Sequence, residues 1–129
     1  HTRSSAASDV YKRQDMGFDD EYFNNGYSSF TLEENLKYFK EFLEGDSIHP
    51  SFRIVGLNRK CIHILGCLLD SENNICTVYE TVLGHIDMNL RKIIEMDDSF
   101  FKSITSLKHR HDNLGSVPFD LRLAVKESV

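Results

Sequence analysis

The chain has 129 residues, with 15 lysines and arginines against 20 aspartates and glutamates, which gives a formal net charge of −5 at pH 7. This length suits one domain, and a hydrophobic fraction of 40% is enough for a real core. The acidic balance argues against binding to nucleic acid and against attraction to an anionic membrane surface. No apolar run approaches the length of a membrane span.

The first fourteen residues, 1–14, stand apart from the rest of the chain. The run from Ser4 to Gln14 resembles the translation of a common sequencing-library adaptor, and it has no apolar periodicity. It also lacks an apolar core long enough for a signal peptide. We therefore predict that 1–14 is an artefact and that genuine sequence begins at Asp15. We expect the natural protein to have further sequence before that residue.

The first predicted element is the end of a helix. Residues 15–26 are acidic and aromatic, and Gly26 offers the glycine stop that is typical of a helix end. The period of the pattern then changes to two, which predicts a strand with one buried face formed by Phe30, Leu32, Leu36 and Tyr38. A Glu-Gly-Asp turn signal at 44–46 follows.

Three more strands are predicted from apolar and β-branched runs between turn signals, at residues 48–58, 61–69 and 75–87. The second and third of these are separated by an Asx-rich hairpin turn at 70–74. The last one runs on toward Ile94, with a break at Asn89. The long apolar run at 61–69 predicts a deeply buried strand.

A second helix is predicted after the run Asp97-Asp98-Ser99, which offers an N-cap. Apolar residues follow at helical spacing, and the cations at 109–111 suit a helix end. We predict a domain at 15–113 and an irregular tail at 114–129. Strands beside segregated helices indicate the α+β class, with a curled antiparallel sheet whose apolar face needs a helix to cover it.

Three cysteines are present, an odd number and without CxxC spacing: Cys61, Cys67 and Cys76. Without a secretory signal, this usage favours reduced thiols in the cytoplasm. The spacing argues against a zinc site, and we expect the cysteines to be small buried residues on strands.

A set of short motifs occurs in a fixed order along the predicted strands. They are GYSSFTLE at 26–33, LKYF at 36–39, EGD at 44–46, Lys60 with His63, Glu80, and HID at 85–87. In this order they resemble the hotdog-fold acyl-CoA thioesterases of the 4-hydroxybenzoyl-CoA thioesterase-like superfamily. The likeness is greatest to the betainyl-CoA thioesterase group, which also occurs fused to carnitine dehydrogenases.

The resemblance implies a hotdog fold, in which the antiparallel sheet curls around a central helix. It implies hydrolysis of a short acyl-CoA, with betainyl-CoA as the candidate, and coenzyme A as part of the substrate with no cofactor. It also implies a homodimer, which would cover the open edge of the long strands.

The chain departs from the pattern of this family at three positions. Asn35 and Gly66 stand where the family often has histidine, and Cys61 stands where arginine is frequent. These departures leave the exact substrate open. The family's Asn-Gly-His-Met segment, at the start of the central helix, is expected upstream of Asp15.

A thioesterase must activate water, and a carboxylate can accept the water's proton. Glu33 falls on the family's recurring glutamate beside the helix-to-strand junction, so it is the first candidate. The alternative is a solvent-facing strand residue, because Glu33 is out of phase with Phe30 and Leu32. Asn35 shares the face of Glu33 and could orient water or a substrate amide, or it could be a surface residue.

His63 and His85 lie within strands, where each could bind an acyl group or a pantetheine amide, or serve a structural role. His85 and Asp87 share a strand face at metal-like spacing, but no third ligand is evident, so no metal site is predicted. Glu80 is predicted to be a cross-strand ion-pair partner. Arg59, Lys60 and Arg91 could contact the phosphates of coenzyme A, or be solvated surface charges.

We therefore predict a hydrolase that acts on a short acyl-CoA through activated water. A rival from another class is a non-catalytic hotdog domain that binds acyl-thioesters or a protein partner, which the three departures favour. A dehydratase of the same fold is a weaker alternative, because the motifs of that group are not visible.

Overall fold

The computed structural model describes residues 18, 20–43, 45, 47–117 and 120–126. The predicted artefact at 1–14 lies outside these residues, as do Glu44 and Asp46 of the predicted turn. Within the described residues, no helix is long and apolar enough to cross a membrane.

The described elements follow the predicted order. They are helix α1 (Asp20–Asn24), strands β1 (Tyr27–Tyr38), β2 (His49–Leu57), β3 (Cys61–Leu69), β4 (Ile75–Asp87) and β5 (Lys92–Ile93), and helix α2 (Asp98–Asp112). The strands form one antiparallel sheet in the order β1-β4-β3-β2, with β5 paired to the end of β4. The predicted α+β class is therefore confirmed.

Strand β4 lies in the middle of the sheet and is buried from Cys76 to Ile86. Tyr22 of α1, Ile104 of α2 and Phe18, which precedes α1, join one cluster with residues of the sheet, namely Ile54, Ile62, Ile64 and Leu83. We call this side of the sheet the helix face and the other side the opposite face. Because side chains alternate along a strand, β4 presents His85 to the helix face and Glu80 to the opposite face.

Strand β1 forms as predicted, but the prediction that it has one buried face is wrong. Phe30, Leu32, Leu36 and Tyr38 are all exposed, between 44% and 71%. The register shifts between Thr31 and Glu33, so Phe30 pairs with Gly84 while Leu36 pairs with Tyr79. A bulge of this kind inverts the alternation, which puts Phe30 and Leu36 on different faces. Among the described strands, β1 is also at the edge of the sheet, with β4 as its one neighbour.

The predictions of the hairpin turn at 70–74 and of the N-cap of the second helix are confirmed. Asp70 opens the hairpin turn by accepting the backbone N–H groups of Glu72 and Asn74 at 2.9 Å each. Asp97 is the N-cap of α2, and its carboxylate accepts the N–H of Phe100 at 2.7 Å. These side chains satisfy backbone donors that the turn and the helix leave without partners.

The three cysteines lie on strands and are all free. Cys76 is buried as predicted, but Cys61 and Cys67 are only half-buried. Both of the latter face away from the helices, since they pair with Gly84 and Val78 on the opposite face of β4.

Gly66 on β3 makes room for the ring of its cross-strand partner, Tyr79. A Cβ atom built at Gly66 would stand 2.1 Å from Tyr79 Cζ, far inside van der Waals contact. Tyr79 is buried, so its ring has little freedom to move aside. This contact explains why the chain has glycine where the resembling family often has histidine.

We expect Gly66→Ala to destabilise the protein by about 1–3 kcal/mol, because overpacking a close contact forces shifts in its neighbours. Alanine in a strand interior would otherwise be slightly stabilising. Urea unfolding of Gly66→Ala, Tyr79→Leu and the double variant measures this effect. In the Tyr79→Leu background, Gly66→Ala should leave the free energy of unfolding almost unchanged. An equal loss of this free energy with and without Tyr79→Leu would contradict the steric explanation.

Candidate active site

The sheet divides the predicted site residues between its two faces. By register, Glu33 and Asn35 pair with Val82 and Glu80, which face away from the helices. His63 pairs with Val82 from the other side and joins the same face. His85 is on the helix face. Glu80 and His85 thus mark two separate centres, which lie on opposite faces of the sheet and five residues apart along β4.

The centre on the opposite face is a buried carboxylate with four hydrogen-bond donors. Glu80 is 2% exposed and accepts from His63 Nε2 at 3.0 Å and from Asn35 Nδ2 at 3.5 Å. The backbone N–H groups of Arg122 and Leu123 also donate to it, at 2.8 and 3.1 Å. The predicted cross-strand partnership of Glu80 is thus with His63, and it is an ion pair only when that ring is protonated.

These donors keep Glu80 ionised. Burial would raise the pKa of Glu80, but the N–H groups of Arg122 and Leu123, together with the His63 ring, outweigh it and hold the pKa below its ordinary value. Both oxygens are engaged, so this carboxylate fastens the segment 120–126 to the sheet. Asn58 fastens the other end, donating from Nδ2 to the carbonyl of Lys126 at 2.8 Å.

Glu33 lies on this same face but is exposed, so the structure does not place it in a desolvated pocket. Asn35 is half-buried and borders a cavity of about 210 Å³ beside Glu80. The roles of Glu33 and Asn35 in catalysis stay predictions.

The centre on the helix face is His85, which is 3% exposed. Its Nδ1 atom lies 2.8 Å from the hydroxyl of Tyr22, and this hydroxyl lies 2.8 Å from the carbonyl of Ser28. A carbonyl can only accept, so the single proton of the tyrosine hydroxyl is donated to Ser28. His85 must then donate Nδ1–H to the tyrosine oxygen, which leaves Nε2 as an unprotonated acceptor.

His85 Nε2 is buried and has no hydrogen-bond partner among the described residues. Burial lowers the pKa of His85, against the smaller effects of Asp97 and Asp87, which raise it. The ring is therefore neutral at neutral pH. A neutral imidazole with a bare ring nitrogen is able to accept a proton.

His85 forms part of the wall of a cavity of about 370 Å³ between α1, β1 and the start of α2. Three aromatic residues share this wall: Tyr22, Tyr27 and Phe100. The ring centroids of Tyr27 and Phe100 lie 4.9 and 5.9 Å from that of His85. Glu21 and Asp97 also border the cavity, and none of the lysines and arginines that the structure describes does.

The three basic candidates differ in their contacts. Arg59 donates to the Met96 carbonyl at 3.1 Å and to Asp98 Oδ1 at 2.7 Å, and its guanidinium lies 4.7 Å from the centre of the Phe101 ring. It thus fastens the start of α2 to the sheet. Lys60 and Arg91 are exposed. Lys60 is near the cavity, since its carbonyl accepts the N–H of His85 at 2.8 Å.

Among the residues that the structure describes, no group of three or more His, Cys, Asp and Glu side chains is arranged to hold a metal ion.

Sequence reasoning found His85 but missed the residues around it. In the sequence, Tyr22 lies in the predicted helix end and Tyr27 in the GYSSFTLE motif. Phe100 is one of the apolar residues of the second predicted helix. They meet His85 only through tertiary packing, since Tyr22 is 63 residues away in sequence. The signals for His85 are the HID motif at 85–87 and its place within the predicted strand 75–87.

Comparison with known proteins places this geometry in a family. The model of the thioesterase-like superfamily matches residues 4–104. This span starts inside the segment 1–14, whose foreign origin remains a prediction. A curated relative, the L-carnitine dehydrogenase/betainyl-CoA thioesterase of Agrobacterium fabrum, is 20% identical over 97 residues. That match covers 75% of this chain but 20% of the relative, so the chain spans about a fifth of that protein's length.

Solved structures with the same fold include two proteins from Staphylococcus aureus. A hypothetical protein in complex with CoA has a TM-score of 0.77 and 20% identity, covering 99% of this chain and 78% of that one. A DHNA-CoA thioesterase also has a TM-score of 0.77, with 14% identity and coverage of 91% and 83%. A thioesterase from Thermus thermophilus, complexed with coenzyme A and Zn, has a TM-score of 0.68, 14% identity and coverage of 85% and 81%.

These neighbours share the antiparallel sheet with its covering helix. Because the family model matches well over half of the chain, the chain belongs to the thioesterase-like superfamily, with the hotdog fold that its sequence predicts.

Proposed function

We propose that this chain is an acyl-CoA thioester hydrolase whose reaction takes place in the cavity beside His85. The observation that carries the proposal is that His85, a buried and neutral imidazole whose Nε2 has no partner among the described residues, is one of the residues lining a cavity of about 370 Å³. Membership of the thioesterase-like superfamily supports the reaction, and the curated relative and solved neighbours support acyl-CoA as the substrate class.

His85 Nε2 serves as the base in this proposal. It takes a proton from water while the water oxygen attacks the thioester carbonyl carbon. The carbon–sulfur bond then breaks, and the imidazolium returns the proton to the departing thiolate of coenzyme A. The products are the free acid and coenzyme A, so water is the one co-reactant.

The cavity wall favours an acyl group that carries a positive charge. Aromatic ring faces attract ammonium groups by about 0.5–2 kcal/mol, and Tyr22, Tyr27 and Phe100 provide three rings. The carboxylates of Glu21 and Asp97 add negative charge, and the neutral His85 adds no repulsion. We therefore keep betainyl-CoA, whose acyl group bears a trimethylammonium, as the candidate substrate, in line with the name of the curated relative.

Two features lie outside the cavity. We propose that Lys60 and Arg91, both exposed near the end of β4, contact the phosphates of coenzyme A, while Arg59 is occupied by α2. We also propose a homodimer that pairs through β1, because this edge strand exposes four large apolar side chains. The three free cysteines support the cytoplasm as the location.

Thiol release from betainyl-CoA, measured with purified protein, should fall by about 10²–10⁴ in kcat for His85→Gln, because a general base is lost. His109→Gln, at an exposed position near the end of α2, is the matched control and should keep full activity. The neutral isostere 3,3-dimethylbutanoyl-CoA should be at least about tenfold poorer in kcat/KM, since it lacks the charge.

The same assay separates His85 from Glu33, the base predicted from sequence. If Glu33→Gln lowers turnover at least about tenfold while His85→Gln leaves it unchanged, the reaction takes place on the opposite face, and the assignment to His85 fails. Binding of acyl-CoA without thiol release from any member of a panel would support the non-catalytic alternative.

The pH dependence of kcat/KM should reflect the lowered pKa of His85. A base must be neutral to act, so activity is full at and above neutral pH and is lost as the pH falls through the pKa of His85. Because burial lowers this pKa, the midpoint of the acid limb should lie below 6.5. An acid limb with its midpoint above 6.5 would contradict a buried neutral imidazole as the base.

Sedimentation velocity should show a dimer, and Leu36→Lys should shift it toward the monomer by putting a charge into the paired edge. Leu36 is 48% exposed in the single chain. Leu114→Lys, at a 72% exposed position after α2, is the control and should remain dimeric. A dimer that is indifferent to Leu36→Lys would exclude pairing through β1.

A further inference from the structure

A second buried polar atom accompanies His85 Nε2 on the helix face. The hydroxyl oxygen of Ser29 is also buried without a hydrogen-bond partner among the described residues. Ser29 is 8% exposed and His85 is 3% exposed. A buried polar group without a partner costs about 1–3 kcal/mol. Two such groups side by side therefore indicate something that both of them bind.

The register of the sheet makes Ser29 and His85 neighbours. Ser29 on β1 pairs directly with His85 on β4. Directly opposed residues of an antiparallel pair share a face, and their Cβ atoms are about 4.5–5.5 Å apart. The two atoms do not bond to each other, so both remain available to a shared partner.

The hydrogen-bonding capacity of His85 Nε2 and of the Ser29 hydroxyl determines which kind of molecule can bind to both. His85 Nε2 can only accept, because the Tyr22 hydroxyl holds the ring proton on Nδ1. The Ser29 hydroxyl can donate or accept. The molecule must therefore have an O–H or N–H to donate to His85, which a thioester carbonyl oxygen lacks. Water fits both sides: it donates to Nε2 and accepts from the Ser29 hydroxyl.

We propose that Ser29 and His85 together hold the water that hydrolyses the thioester. This inference rests on the proposed function, and it makes Ser29 the residue that positions the nucleophile. The Ser29 hydroxyl donates to the water oxygen and orients its second lone pair toward the carbonyl carbon. His85 takes the proton as the carbon–oxygen bond forms, and the thiolate of coenzyme A receives that proton when the carbon–sulfur bond breaks.

Ser29 is not itself the nucleophile in this arrangement. A serine is activated by a hydrogen bond to its base, and His85 Nε2 makes no bond to Ser29. Water between the two residues is the species that Nε2 can deprotonate.

The test uses Ser29→Ala in the full chain, with Ser51→Ala on β2 as a matched strand serine outside the site. With an acyl-CoA substrate, Ser29→Ala should lower kcat about tenfold to a hundredfold and leave KM unchanged, because the water is lost and not the substrate contacts. Ser29→Thr keeps the hydroxyl and should restore most of kcat. Ser51→Ala should match the unaltered protein.

A crystal structure at high resolution gives a readout that does not depend on activity. It should show an ordered water within hydrogen-bond distance of Ser29 Oγ and His85 Nε2, and Ser29→Ala should lose that water while the Tyr22–His85 contact stays. The proposal is overturned if Ser29→Ala and the unaltered protein have the same kcat, or if the crystal structure shows no water at this position. If no acyl-CoA is hydrolysed but the water is present and depends on Ser29, the proposed function fails separately from the water site.

Discussion

The structure depends on how its central strand buries polar groups. β4 is covered on both faces from Cys76 to Ile86, yet it carries Glu80 and His85 within this stretch. A buried polar group without hydrogen-bond partners destabilises a fold. Each of these side chains therefore needs hydrogen-bond partners from other parts of the chain. Glu80 accepts hydrogen bonds from the segment 120–126 on one face, and His85 is hydrogen-bonded to Tyr22 on the other.

The two centres differ in how completely their hydrogen-bonding atoms are satisfied, and the proposed roles rest on this difference. Both oxygens of Glu80 have donors, so the carboxylate is committed to holding the chain together. His85 has one ring nitrogen bonded and one bare, beside a cavity and beside the unpartnered hydroxyl of Ser29. Stability alone would favour filling those positions with apolar groups. This difference supports the proposal that the substrate binds and reacts on the helix face.

Much of the fold could be predicted from the sequence, because strands and helix caps depend on local sequence patterns. The four long strands, the Asp70 turn and the Asp97 cap lie where alternation and Asx residues put them. The burial of β1 could not be predicted, because a bulge near Leu32 inverts the alternation without any marker in the sequence. For the site, His85 was visible as a histidine in a buried strand, whereas its tautomer depends on Tyr22 and its neighbour Ser29 on strand register. Both depend on tertiary structure, which local sequence patterns do not show.

The most direct test of the helix-face site is a crystal structure with a thioether analogue of betainyl-CoA, which binds but cannot be hydrolysed. The acyl position should lie in the cavity, with its trimethylammonium against Tyr27 and Phe100 and the carbon that replaces the carbonyl beside His85 Nε2. An analogue whose acyl group lies instead on the opposite face, beside Glu33 and Asn35, would contradict the assignment of the reaction to His85.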